Sequence, residues 1–218
     1  MKKRKNIITV AIDSPAAAGA GTQAKLISKH YNLYYLDTGK IYRYIGKIKL
    51  DNPIKFSYAL VRRKINKLKF QQLQNKNLLS DKVAVSASII AKDKKIRSIV
   101  HKFQQKYAYS PPMKYAGSVL DGRDIITVQV KDAMFKFFIT ASLKVRSKRR
   151  FKEYKSLKKK ITFKEVVKSL KNRDKSDRER KHGPLKKTKD SILINTTKLS
   201  KKACFMKIKS IMDKELKS

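Results

Sequence analysis

The order of apolar and polar positions along this chain switches repeatedly between two periods. Residues 6–12 run almost unbroken as apolar, the pattern of a strand buried on both faces, and 22–31 place apolar residues at helical spacing. "LYYLD" (33–37) predicts a second short strand, followed by a helix through Tyr42 to Leu50. The middle, about 55–110, reads as mostly helical, and "SASIIAKDKKIRSIVHKFQQKYA" carries the strongest helical periodicity. "YSPPMKYAG" (109–117) is a loop by its paired prolines and glycine. "SVLDG" and "MFKFFIT" predict two more strands. After Ala141 comes a basic helix, then a second opened by "TFKE", a capping box of Thr162 and Glu165. "SILIN" is a last strand, and Ser200 is placed to cap the final helix. Strands alternating with helices imply an α/β fold, a parallel sheet flanked by helices in three layers. Ligands in that architecture sit beyond the carboxyl ends of the strands.

Bulk properties narrow the class. A length of 218 residues suits one domain with ample core, and a hydrophobic fraction of 41% is ordinary for a globular chain. No apolar run approaches the ~20 residues of a membrane span. The basic start "MKKRKN" is soon followed by Asp13 and Pro15, without the apolar core and cleavage site of a secretory leader. The single cysteine, Cys204, excludes an intramolecular disulfide and fits a reducing cytoplasm, the expected location. It belongs to an amphipathic last helix and reads as a core residue. His30, His101 and His182 lack metal-ligand spacing, so no protein-held structural metal is expected, and a monomer is the default.

A net charge of +40 admits two accounts. Clustered lysine and arginine release counterions from nucleic-acid phosphates. A composition heavy in Lys, Ile and Asn gives the same total without that purpose. The lysines are spread over the whole chain and no aromatic-rich RNA-binding signature occurs, so the compositional account is favoured over nucleic-acid binding. Anionic nucleotides are attracted either way.

The first strand runs into "DSPAAAGAGT" and a helix leaves it, which is the grammar of a phosphate-gripping loop. The pattern G-x-x-x-x-G-K-[ST] wants glycine at Ser14 and lysine at Ala20, so the loop alone is an incomplete match. Other segments bear on it. In "YLDTGKIYR", Asp37, Thr38 and Arg43 gather at one helix N-terminus, and guanidinium suits phosphate by geometry and permanent charge. "LDGRDI" crowds Asp121, Arg123 and Asp124 at another strand end. In "RDKSDRER", Arg173, Asp177 and Arg180 share one helical face at i, i+4 and i+7.

"AIDSPAAAGAGTQAKLIS", "YLDTGKIYR", "GSVLDGRDI", "FFITASLKVRSKRR", "RDKSDRERKHGPL" and "SILINTTKLS" occur in the order and spacing of bacterial cytidylate kinases, and the chain resembles that family over nearly its whole length. The resemblance implies a P-loop nucleoside monophosphate kinase moving a phosphoryl group from ATP to CMP or dCMP with Mg2+. It implies a core of about 1–50, 115–142 and 184–218, a mobile acceptor-binding part of about 51–112, and a lid of about 143–183. The segment between about 50 and 85 is short beside longer members of the family.

Roles follow residue by residue from that resemblance. Ser14, Pro15, Ala16, Ala17, Ala18, Gly19, Ala20, Gly21 and Thr22 would wrap the ATP phosphates, with Thr22 or the Gly21 backbone close to magnesium. Thr38 and Asp124 would meet the cytosine amino group, and Arg97 and Arg180 the ring acceptors. Ser88, Arg173 and Asp177 would take the sugar hydroxyls, and Arg43 and Arg123 the acceptor phosphate, with Asp121 beside them. Uracil presents a carbonyl where cytosine presents the amine, so a carboxylate there disfavours UMP. The segment Arg146–Lys160 holds nine Lys/Arg against one Glu153, and Arg146, Arg149 and Arg150 would close over the transferring group.

Three departures from the family pattern touch the chemistry. Ser14 and Ala17 stand where glycine is common, and Ile126 where "DGRDIGT" has glycine, crowding a loop beside the acceptor. Ala20 removes the lysine that would bridge the donor's outer phosphates, a loss of roughly 10²–10³ in rate for a cation of this kind. Lys40 beside the "DTG" turn, with the lid arginines, is the candidate replacement. The expectation is an active kinase with a lysine-free loop. The alternatives are a homologue that binds nucleotides without turnover, told by CMP binding without product, and a basic nucleic-acid-binding protein on the same scaffold, told by steeply salt-dependent RNA binding.

Overall fold

The computed structural model describes residues 7–217, so the basic start lies outside the described residues. Five strands, β1 (Ile8–Asp13), β2 (Leu33–Asp37), β3 (Gly117–Gly122), β4 (Phe135–Thr140) and β5 (Ile192–Asn195), form one sheet in the order β2-β3-β1-β4-β5. Each neighbouring pair is parallel. Side chains of a strand alternate between faces, and the sheet is covered on both. Val10 and Ile12 enter a core with Phe135, Phe137 and Ile139 under α1 (Ala20–His30) and α8 (Lys201–Lys217). Ala11, Leu36 and Leu120 enter the opposite core under α2 (Thr38–Asp51), α3 (Tyr58–Asn66), α4 (Asp81–Ile90) and α5 (Lys94–Tyr109). Phe137 is fully buried, a position where truncation to alanine costs about 3–5 kcal/mol.

The expected strands and the loop at Ser110–Ala116 are present, and the helices differ from expectation in some of their boundaries. The first helix begins at Ala20 rather than 22, because Gly19, at φ 102°, turns the chain directly into it. The long periodic stretch is two helices. Asp93 breaks it by accepting the Ile96 N–H (3.0 Å) and capping α5. The apolar spacing runs through the break because Ile90, Ile96 and Val100 still enter one core.

Two further helices, α6 (Leu143–Ser156) and α7 (Phe163–Glu179), form a hairpin over the carboxyl end of the sheet. Val166 and Leu170 join them around Ala16, with Leu143, Phe151 and Tyr154 alongside. The capping box is formed: Thr162 Oγ1 accepts the Glu165 N–H (3.2 Å) and the Glu165 carboxylate accepts the Thr162 N–H (2.7 Å). The Ser200 hydroxyl caps α8 by accepting the Ala203 N–H (3.1 Å), and Cys204 is buried. No helix of the described residues is long and apolar enough to cross a membrane.

Candidate active site

A cleft of about 470 Å³ opens beyond the carboxyl ends of β1, β2 and β3, between the first loop and α7. Its floor is the run Ser14–Thr22, which leaves the middle strand and enters α1. The first amides of a helix have no intrahelical partner, and among the described residues no side chain caps α1. The helix start therefore presents polar hydrogens and a positive dipole end to the cleft. Ala17 holds φ 61°, the left-handed region, where a Cβ costs about 1–2 kcal/mol.

The loop is fastened from behind. Asp13, fully buried, accepts the amides of Ile125 (2.8 Å) and Ile126 (3.0 Å). Burial outweighs those two bonds and pushes its carboxyl up to about 7. Ile126 differs from expectation here. Its side chain is buried in the core with Ile125 and Val130 rather than crowding the cleft, because its amide is turned toward Asp13.

Beside the loop, Asp37 ends β2 and Asp121 is the last residue but one of β3. Asp37 caps α2 through the Lys40 amide (3.2 Å), and Asp121 accepts the Tyr35 hydroxyl (3.1 Å). A Cβ on Gly21 would stand 3.3 Å from Asp121 Oδ2. Burial, then the Asp37 carboxylate, raises Asp121 well above the usual carboxylate range.

Opposite the loop, Arg43, Arg123, Arg150 and Arg173 line one wall. Arg123 Nε donates to Asp177 (2.7 Å), which Arg173 and Arg180 approach at 3.8 Å. Burial of Asp177 is overridden by these cations, and its carboxyl lies below the usual range. Arg43 donates to the Leu78 carbonyl (2.8 Å), and enclosure followed by the charge of Arg150 lowers its guanidinium's proton affinity. Enclosure in the cleft, then Arg123, with Arg43 and Arg150 adding like charge, brings Arg173 down to about 10. Cations outnumber carboxylates on this wall, the electrostatics of a site that takes an anion.

Deeper in, Asp124 accepts from Arg97 Nη2 and from Gln129 Nε2 (3.0 Å), and faces Arg180 Nη2 at 3.5 Å. Arg180 is just past α7, not on its face: the helix ends at Glu179, and Arg180 turns to donate to the Gly183 carbonyl (2.6 Å). Gly183 holds φ 60°, and a Cβ there would collide with the Arg97 guanidinium. Among the described residues the Tyr42 hydroxyl and Arg180 Nη2 are buried without a hydrogen-bond partner, and both residues line the cleft. Thr38 and Ser88 line it too, the Thr38 hydroxyl donating to the Asp121 carbonyl (2.7 Å).

Not every expected group reaches the cleft. Arg146 is buried and fully engaged, with two bonds to Asp174 (3.0 and 2.6 Å) and others to the carbonyls of Ala141 (3.0 Å) and Ala16 (3.2 Å). Arg149 donates to the Ala18 carbonyl (3.2 Å) and to both oxygens of Thr196 (2.9 Å each). These two arginines hold the loop from outside, and Arg150 alone of the three lines the cleft, paired with Glu153 (3.0 Å). The Lys40 ammonium lies at the cleft edge and donates to Gln74 Oε1 (3.0 Å). Sequence reasoning assigned nothing to Asp13, Gln129, His101 or Asp174. A buried aspartate ending an apolar run, and a glutamine inside "IITVQV", were the available signals.

The model of the cytidylate kinase family matches residues 10–214. A cytidylate kinase of Clostridium botulinum (strain Loch Maree / Type A3) is 39% identical, over 95% of this chain and 99% of that protein. Those of Thermosipho melanesiensis and Brucella suis biovar 1 are each 36% identical, over 95% of this chain and 98% and 93% of theirs. Among solved structures, an uncharacterized protein from Eubacterium ventriosum shares the fold, with a TM-score of 0.54 at 18% identity over 94% of this chain and 98% of its own.

Proposed function

This chain belongs to the cytidylate kinase family, and from that premise we propose that its ATP-dependent phosphoryl transfer is directed to CMP and dCMP in the cleft between the Ser14–Thr22 loop and α7. The observation that carries the reading is an opposition. Free helix-start amides face a wall of guanidiniums, Arg43, Arg123, Arg150 and Arg173, where enclosure and then neighbouring like charge lower the proton affinity of Arg43 and Arg173. Two anions belong there, the donor's phosphate chain on the amides and the acceptor's single phosphate on the arginines.

An acceptor phosphate oxygen held by Arg43 and Arg123 attacks the donor's terminal phosphorus. The bond from that phosphorus to its bridging oxygen breaks, ADP departs, and CDP or dCDP is formed. The protein's work is positioning and charge neutralisation. Ser88, Arg173 and Asp177 suit the sugar hydroxyls, Thr38 and Asp124 the cytosine amine, and Arg97 and Arg180 the ring acceptors. Magnesium carried on the donor fits the hard oxygens of Thr22, Asp37 and Asp121, and the raised Asp121 carboxyl is what a nearby cation relieves. When bound, the ion neutralises charge on the donor phosphates. The α6–α7 hairpin is the lid of this reading, residues 51–112 the acceptor part, and the remainder the core. An ion pair between Lys159 and Asp81 (2.7 Å) supports closure of the first against the second.

The test is ADP formation from ATP with CMP, dCMP and UMP side by side. CMP and dCMP should accelerate it and UMP should not. A rate with CMP no higher than without acceptor overturns the proposal.

A further inference from the structure

Residues Ile125–Gln129 form a wide π-turn, in which the Gln129 amide closes on the Asp124 carbonyl (3.2 Å) five residues back. In an α-helix the neighbour of residue 124 is 128, whereas the wider turn brings 129 over it. Val128 is accordingly exposed, and Gln129, 2% exposed, lies against the Asp124 carboxylate. A carboxylate accepts only, so the Gln129 NH2 must face it, and Nε2 donates to Oδ2 at 3.0 Å. The Gln129 oxygen then needs a donor, and His101 Nδ1 on α5 occupies that position. Asp124 thus sets which way the glutamine amide points, and His101, in the tautomer with its proton on Nδ1, braces the amide in that orientation.

Asp124 Oδ2 is taken by two donors, Arg97 Nη2 and Gln129 Nε2. Among the described residues Oδ1 faces only Arg180 Nη2, at 3.5 Å, beyond hydrogen-bond reach. We propose that Gln129, braced by His101, is a positioning residue that reserves Asp124 Oδ1 for the exocyclic amine of the acceptor base, and so sets the preference for cytosine over uracil. The inference rests on the reading of the pocket as a CMP site. A carboxylate free to rotate can close the 3.5 Å gap to Arg180, whereas one clamped on Oδ2 holds Oδ1 at that distance, open to a ligand's donor. Discrimination built on a buried hydrogen bond is large because the wrong base leaves the site's polar group unpaired.

Calorimetric affinities for CMP and UMP test this without requiring turnover. Gln129→Leu keeps the volume and removes the donor. It should weaken CMP about tenfold or more and leave UMP nearly unchanged, with ATP affinity preserved as the measure of an intact fold. His101→Ala frees the amide and should produce a smaller loss, about threefold, that vanishes in the Gln129→Leu background. It carries the same test should the first variant fail to fold. Equal loss of CMP and UMP binding, or an unchanged ratio, overturns the assignment of Gln129. A wild-type protein that binds UMP as well as CMP overturns the pocket reading itself, and this inference with it.

Discussion

Arg146 on α6 and Asp174 on α7 meet in a two-pronged ion pair, and the same guanidinium donates to the Ala16 carbonyl in the phosphate loop. The hairpin and the loop are therefore one mechanical unit at this point. An arginine that sequence reasoning sends to the reacting phosphate is a strut instead, and its charge is already matched by a buried carboxylate.

Removing one partner of a buried pair leaves the other uncompensated, at about 3–5 kcal/mol. Arg146→Ala and Asp174→Ala should each lower Tm by about 10 °C. The double variant should lose little more than either, and urea denaturation of the four proteins measures the coupling. Additive losses would mean that the pair does not act as a unit.

Ala17 holds a left-handed backbone in the middle of the phosphate loop. Glycine adopts that conformation without a Cβ penalty, and its greater freedom in the unfolded chain offsets part of the gain. Ala17→Gly should stabilise the protein by about 0.5–1 kcal/mol, read as a rise in Tm of about 2–3 °C. A fall in Tm would place the strain elsewhere.

What was legible in the sequence was local. Four of the five strands are apolar runs, and Thr162 with Glu165 announces its cap within four residues. The residues behind the cleft were not legible, because their partners are distant. Asp13 grips amides more than a hundred positions away, and Gln129 reaches the Asp124 carboxylate through a π-turn that sets it one residue beyond the α-helical neighbour. Arg180 leaves the helical face for a similar reason: Leu185 folds back to donate its amide to the Asp177 carbonyl (2.8 Å), which ends α7 and turns the chain toward Gly183. Periodicity carries no information on any of these.

Asp13 makes stability fall with pH. Its folded carboxyl is raised to about 7 from 3.8, chiefly by burial. Between those values the folded protein keeps a proton that the unfolded chain has released, so this contribution is complete below 3.8, declines as pH rises, and is gone above about 7. The window is worth on the order of 4 kcal/mol. Carboxyl carbon NMR of the folded protein should titrate Asp13 near pH 7, and Asp13→Asn should flatten the stability curve between pH 4 and 7. A midpoint near 4 would mean that the two backbone amides outweigh burial.

The loop carries alanine at position 20, where its pattern wants a cation. Ala20 lies in the first turn of α1 and lines the cleft, so a lysine there starts from the position where the donor's outer phosphates are expected. Ala20→Lys should raise kcat by about 10–10² if charge on those phosphates limits the rate. The group that serves in its place must be cationic and within reach of the loop. Lys40 meets both conditions, but its ammonium rests on Gln74, so it has to exchange that partner for the donor when ATP binds. Lys40→Ala should then lower kcat by about 10² with the KM for CMP little changed, and Ala20→Lys in that background should restore it. Gln74→Ala, which frees the ammonium without removing it, should not lower kcat. If Lys40→Ala leaves kcat intact while Arg150→Ala lowers it, the substituting charge comes from α6 rather than α2.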